Sequence, residues 1–205
     1  NVAENSGGVH CLKYGLTAHN VLGVELVLMS GEVVRLGGKH LDAGGLDLLG
    51  VVIGSEGLLG IVTEVTVRIL KSPETARAMM MGFASNESAG DCVGRIISAG
   101  IIPGGMEMMD RPAIRASEEY AHAGYPLDVE SLLIVELDGP AVEVDHLVKT
   151  VEDIARAAGA TTVAVSRNDA ERERIWAGRK GAFPAIGRIS PDYLCMDGTI
   201  PRRRL

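Results

Sequence analysis

The chain is 205 residues long, 46% hydrophobic and 23% charged, with a net charge of -7. That is enough apolar material for a core in one domain or two small ones, and the acidic balance without basic–aromatic stripes excludes nucleic acid as the expected partner. No apolar run approaches the roughly 20 residues of a spanning helix, so no transmembrane segment is expected, and Cys11, Cys92 and Cys195 are too scattered for a disulfide framework or a thiolate metal site.

The polar, glycine-rich opening from Asn1 to Gly8 has no strand before it and does not begin on Met, which reads as an internal stretch of a longer protein. Val21 to Met29 is apolar and β-branched, Ser30-Gly31-Glu32 carries turn chemistry and Val33 to Leu36 returns, which predicts a hairpin. A short helical turn at Leu46–Gly50 leads into a tight loop, Gly54 to Gly60. A long strand follows over Ile61–Leu70, with Ile61, Thr63, Val65, Val67 and Ile69 expected on one side. Pro73 punctuates the chain there and places a domain boundary, giving domains 1–72 and 73–205.

Past Pro73 strands and helices alternate. Ala76–Ala84 reads as a strand, Ser85 opens a helix that ends before Gly100, and Gly105–Met109 is a short strand. Asp110 caps a helix to about His122, with Pro112 in its first turn where a missing N–H costs little. Leu132–Leu137 is a buried-type strand, Val142–Ala158 an amphipathic helix stopped by Gly159, and Thr161–Ser166 a fourth strand. Asn168 or Asp169 then caps a helix carrying Trp176. Two β-α-β units in series predict a four-stranded ferredoxin-like sheet with helices on one face.

Three glycines in the seven residues Gly54 to Gly60 remove side chains on one side, so the backbone can approach something flat or anionic. Their spacing is not GxGxxG and a strand follows where that motif needs a helix, which disfavours a nicotinamide cofactor on a Rossmann fold. A plain turn from helix to strand meets the same pattern, and the residues alone leave both readings open.

Taken in order, Asn1-Val2-Ala3-Glu4-Asn5-Ser6-Gly7-Gly8-Val9-His10-Cys11-Leu12-Lys13-Tyr14-Gly15, then Gly23 to Val27, then Gly54-Ser55-Glu56-Gly57-Leu58-Leu59-Gly60-Ile61-Val62-Thr63-Glu64 resemble the second half of the FAD-binding domain in vanillyl-alcohol-oxidase-type flavoproteins. The resemblance continues through Gly100 to Asp110, His122 to Pro126, Trp176 to Pro184 and Asp192 to Arg202, which are similar to FAD-dependent 2-hydroxyacid dehydrogenases of the glycolate oxidase and D-lactate dehydrogenase type. It implies an α+β fold: the C-terminal half of a vanillyl-alcohol-oxidase/PCMH-type FAD-binding domain, then a ferredoxin-like antiparallel-sheet cap domain that is incomplete at its C-terminus. It also implies that Ala3, Asn5, Gly7, Gly8, Tyr14 and Gly15 face the flavin side of FAD. Gly54, Ser55, Gly57, Gly60, Ile61 and Val62 would face the adenosine side, and the part that cradles the pyrophosphate would lie upstream.

By the same resemblance the parent oxidises a small 2-hydroxy acid, glycolate or D-lactate in type, by hydride transfer to flavin. Electrons would pass to a partner, with a second flavin-domain subunit and an iron–sulfur subunit as the implied company. A divalent metal in the parent would have its ligands outside this chain. The implied location is cytoplasmic, peripheral at the inner membrane through partner subunits. Such chemistry needs a cation for the carboxylate, and Arg179 is the candidate because a guanidinium matches a planar anion at two points, with Lys180 the weaker one. An ion pair of Arg179 with Glu171, Glu173 or another surface acid is the competing reading. Glu107 and Asp110 stand near the expected pocket, Asp110 being explained by capping alone. Among the residues no histidine spacing suggests a metal. The alternative for the whole chain is a non-catalytic ferredoxin-like module or an inactive fragment of such an enzyme.

Overall fold

The computed structural model describes residues 1–41 and 44–201, so the Arg202-Arg203-Arg204 run, given no role by the sequence, lies outside the described residues. The chain divides into two compact units, Asn1–Ser72 and Pro73–Leu205.

In the first unit two single-turn helices, α1 (Cys11–Tyr14) and α2 (Thr17–Asn20), precede strands β1 (Val21–Val27) and β2 (Val33–Gly37), the short helix α3 (Leu48–Val52) and strand β3 (Ile61–Val67). The sheet is antiparallel in the order β2-β1-β3, so the apolar β1 lies in the middle. Its inner face, with Val24 and Leu26, packs on Val52 and on Leu49, Ile53, Val34 and Leu36. Its outer face carries a cross-strand ladder, Arg35 pairing with Glu25 and with Glu64 at 3.3 Å.

One expectation needs correction. Ile61 pairs with Val27 whereas Val65 pairs with Val24, because the register slips between Glu25 and Leu26. The looped-out residue at Thr63 inverts the alternation, and Ile61 and Val65 stand on opposite faces, not on one side. Regular pairing also stops at Val67, short of Leu70.

The second unit holds β4 (Thr75–Phe83), α4 (Asn86–Ser98), β5 (Gly105–Asp110), α5 (Arg111–Ala121), β6 (Ser131–Gly139), α6 (Ala141–Ala157), β7 (Ala160–Val165), α7 (Asp169–Lys180) and α8 (Ala182–Ile189). Its sheet runs β5-β6-β4-β7, every neighbour antiparallel, which is the ferredoxin-like order. Helix starts follow the local chemistry: Ser85 accepts from Ser88 N, Asp110 from Ala113 N and Asn168 from Glu171 N.

Helices cover both faces of this sheet, where the sequence predicted one. Met79, Met81, Phe83, Leu133, Val135 and Leu137 pack under α4 and α6, through Cys92, Ile96, Val144 and Val151. The alternate positions Ala78, Leu132, Ile134 and Glu136 are buried as well, on the side of α5 and α7. The reason is in β6: Leu132 to Val135 is a run with no polar position, and a strand apolar on both sides needs two covers. Among the described residues no helix is long and apolar enough to cross a membrane.

Candidate functional site

In the first unit the N-terminal segment is laced to the glycine loop by main-chain hydrogen bonds. Gly54 N donates to Val2 O and Glu56 N to Ala3 O, both at 2.9 Å. The loop reverses direction through left-handed backbone at Gly54, Glu56 and Gly57, with φ of 82°, 53° and 77°. The two segments enclose a cleft of about 360 Å³ lined by Ala3, Ser55, Gly57, Gly60, Ile61 and Val62 together with Asn1, Val2, Val52 and Val65. Six predicted cofactor residues thus share one cavity, and Ala3, which the resemblance groups with the flavin side, stands among the loop residues.

Gly15 lines a neighbouring cleft of about 330 Å³ with Ser6, Thr17 and Asn20. Asn5, Gly7, Gly8, Tyr14 and Gly54 line neither cleft; they shape the segment around them. Asn5 Oδ1 accepts from Ala18 N at 2.9 Å, Gly8 N donates to Cys11 Sγ at 2.9 Å, and Tyr14 O accepts from Asn20 Nδ2 at 2.9 Å.

Whether this surface suits a flavin nucleotide is testable on its glycines. A Cβ at Gly57 would meet no heavy atom within 4 Å, so glycine is called for there by the left-handed φ of 77° and not by packing, and the cleft wall stays open. At Gly60 a Cβ would come within 2.5 Å of Val27 O, so that glycine serves the sheet. An apolar floor of Val52, Val62 and Val65 under a rim of main chain and the Ser55 hydroxyl fits a flat, heteroaromatic group.

In the second unit α7 lies across the sheet and sets three side chains against it. Arg172, Trp176 and Arg179 fall at helical spacings of four and three, hence on one face. Trp176 Nε1 donates to the buried Glu136 Oε2 at 2.6 Å, and Arg172 Nη1 reaches the same oxygen at 3.3 Å. Burial works against the Arg172 charge, but its hydrogen bonds to Glu136 and Asp169 outweigh it and hold its proton more tightly than usual. Arg179 donates from Nε to Oε2 of Glu107 at 3.1 Å, on the edge strand β5, and its Nη2 stands 3.0 Å from the same oxygen as an ion pair.

A third anchor is Tyr125, whose hydroxyl donates to Ile175 O at 2.5 Å. Burial pushes that phenol well above its ordinary range. Its ring fits only because Gly178 has no side chain; a Cβ there would come within 2.5 Å of the ring.

Arg179 borders a cleft of about 660 Å³ whose walls are largely apolar: Met108 and Met109 of β5, Ala113 of α5, Ala182, Phe183 and Ile186 of α8, with Tyr193, Leu194 and Cys195. Asp110 and Asn86 add polar atoms, and Asp110 is engaged in its cap. Lys180 is exposed and is not among the lining residues, because one step along a helix turns a side chain by 100°. Arg179 is in an ion pair, as the competing reading expected, but its partner is Glu107 of the sheet and not Glu171, which is paired with Arg167. What the sequence missed is the wall itself. Met108, Phe183 and Ile186 carry no signature beyond apolarity, and α8 was not predicted. Among the described residues no group of three or more His, Cys, Asp or Glu side chains is placed to hold a metal ion.

Comparison with known proteins follows the same division. The family profile of the C-terminal domain of FAD linked oxidases matches residues 72–205, and that of an FAD binding domain matches residues 1–37. The chain is 58% identical to the glycolate oxidase subunit GlcD of Escherichia coli K12, over all of this chain and 41% of that protein. It is 36% identical to GlcD of Bacillus subtilis, over 100% of this chain and 44% of that one. A D-lactate dehydrogenase of Anaerostipes hadrus is 29% identical over 91% of this chain and 41% of its own length. The chain therefore spans about two fifths of the curated relatives it matches. Among solved structures, alkyldihydroxyacetonephosphate synthase superposes with a TM-score of 0.72 at 22% identity, covering 92% of this chain and 36% of that one, a likeness of fold. With that profile matched across the whole of the second unit, the chain belongs to the FAD-linked oxidases.

Proposed function

We propose that the protein containing this chain is an FAD-dependent dehydrogenase of a small 2-hydroxy acid, of glycolate or D-lactate type, and that Arg179 anchors the substrate carboxylate. The observation that carries the reading is Arg179 itself: a permanently charged, planar group held at the wall of an apolar cleft. The names of the relatives support the substrate class.

Oxidation of R–CH(OH)–COO⁻ to R–CO–COO⁻ removes a hydride from the carbinol carbon and a proton from the hydroxyl. Bound FAD supplies the hydride acceptor. In this reading Gly54, Ser55, Gly57, Gly60, Ile61 and Val62 face the adenosine end, and Ala3, Asn5, Gly7, Gly8, Tyr14 and Gly15 the flavin side, with Ala3 reaching into the cleft of the loop residues.

Arg179 fixes the carboxylate, and with it the bearing of the C–H bond. Met108, Phe183 and Ile186 give that pair an apolar flank, although Met108 and Phe183 are themselves exposed. Lys180, turned away from the cleft, takes no part in holding the carboxylate. Because the relatives are named as a subunit, a multi-subunit parent is part of the proposal, with a second flavin-domain subunit and an iron–sulfur subunit carrying electrons onward.

The test is steady-state kinetics on the full-length, flavin-loaded parent. Arg179→Ala should lower kcat/KM for the 2-hydroxy acid by about 10²-fold or more, since removing one partner of a desolvated charge pair costs about 2–5 kcal/mol. Flavin content should be unchanged, and Arg179→Lys should recover only part of the loss. A wild-type kcat/KM in Arg179→Ala removes the residue from the site.

A further inference from the structure

We propose that Glu107 is a positioning residue for Arg179, turning its guanidinium edge-on to the cleft and tempering its charge; the inference rests on the reading of Arg179 as the carboxylate anchor. Glu107 sits on β5 opposite Ile134, on the face of the sheet that α7 covers. Its Oε2 accepts from Nε of Arg179 at 3.1 Å and lies 3.0 Å from Nη2, so it faces the Nε/Nη2 edge. A guanidinium has five donors in one rigid plane, so fixing the Nε/Nη2 edge also fixes the direction of the Nη1 side.

Seating the helix is a weak explanation for this pair, because α7 is already fixed at three other points. Arg172 and Trp176 are tied to Glu136, and Ile175 O is held by the Tyr125 hydroxyl. Both members also keep some access to water, with side-chain exposures of 29% for Arg179 and 22% for Glu107. A second consequence concerns turnover. Substrate and product are both carboxylates, and an uncompensated cation would hold them equally tightly, which adds ground-state affinity without raising kcat. A carboxylate beside the cation weakens that uniform attraction.

The experiment uses the full-length, flavin-loaded protein with Glu107→Ala, Glu107→Gln, Arg179→Ala and the Glu107→Ala/Arg179→Ala pair. Steady-state kinetics is combined with oxalate titration read from the flavin absorption band. Glu107→Ala should lower kcat per bound flavin by about 10-fold while KM and the oxalate Kd stay level or fall, a split that a loss of fold does not produce. Glu107→Gln keeps an acceptor oxygen and should recover part of kcat. In the Arg179→Ala background the Glu107 substitution should cost less than about 2-fold further, because its effect runs through the arginine.

A wild-type kcat in Glu107→Ala overturns the positioning role and leaves the anchor standing if Arg179→Ala is impaired. The same fractional loss in both backgrounds also overturns it, by showing that Glu107 acts elsewhere. Wild-type kinetics in Arg179→Ala overturns the anchor and the positioning role together.

Discussion

Gly178 and Gly94 lie inside helices, yet their surroundings demand opposite outcomes. A methyl at Gly178 would come within 2.5 Å of the Tyr125 ring and 2.8 Å of Ala123 Cβ, whereas at Gly94 of α4 it would meet nothing within 4 Å. Both exchanges gain helix propensity, about 1 kcal/mol for alanine over glycine. Gly94→Ala should therefore stabilise by about 0.5–1 kcal/mol. In Gly178→Ala the overpacking, about 1–3 kcal/mol, should exceed that gain and give a net loss. Urea unfolding of the two variants checks the pair, and equal stabilisation by both would deny the close approach. The sequence shows Gly178 only as one residue in Trp176-Ala177-Gly178-Arg179-Lys180. Its need to be glycine comes from Tyr125, far away along the chain, which no local pattern reports. Glu107 is similar. It was noted near the pocket, but its partner lies on α7 at a distance that only the sheet register brings together.

At the scale of elements the reading from sequence was most successful where a local signal marks the end. Ser85, Asp110 and Asn168 start their helices as expected, because an N-cap depends on a residue and the amide three positions later. The expectations failed where partners decide. Helices on both faces of the second sheet follow from the doubly apolar β6, and the bulge in β3 follows from its pairing with β1. The start of α7 supplies a further prediction. Asn168 Oδ1 accepts from Glu171 N, and the Glu171 carboxylate accepts from Arg167 N and from the Arg167 guanidinium. The Arg167 side chain, then its main-chain N–H, hold the Glu171 carboxyl down at about 2, from an ordinary 4.5. With the folded value below the unfolded one, the clamp stabilises above about pH 4.5 and fades as pH falls towards 2. Glu171→Gln should accordingly lower the thermal midpoint at neutral pH, with the gap to wild type narrowing between those limits. A gap that stays constant down to pH 2 would deny the assignment.

For the whole molecule, each unit has its own core, one around Val24 and Leu26, the other around Met79, Met81 and Leu133. The ferredoxin-like order has a cost in the second. Strand β4 comes first in that unit yet pairs only with β6 and β7, from Phe83 opposite Ser131 to Met79 opposite Val165. No ladder of β4 can form until the chain has passed residue 131, so closure entropy precedes any reward. A chain cut at residue 130 should therefore show no cooperative unfolding of this unit by circular dichroism, although α4 and α5 are intact in sequence. A cooperative transition in that fragment would refute the dependence. The alternation of elements made this fold class legible, because each strand and helix announces its own period. The cleft was not legible, since its walls come from β5, α5, α8 and the residues after α8, each apolar for ordinary reasons.

The hydrogen bonds from Gly54 N to Val2 O and from Glu56 N to Ala3 O also bear on how this family can diverge. A contact made by peptide groups is indifferent to what the side chains are, so Ala3 can drift through many residue types while the surface keeps its shape. The left-handed φ of 53° at Glu56 narrows the choice there to glycine, asparagine and other residues that tolerate it. Mutational tolerance should be wide at Ala3, which offers only its carbonyl, and at 56 should extend to residues that keep an amide hydrogen and accept left-handed backbone, with valine and isoleucine excluded. Proline at 56 would abolish a donor. An inventory of invariant side chains would therefore undercount this surface, whose information is stored in the path of the main chain.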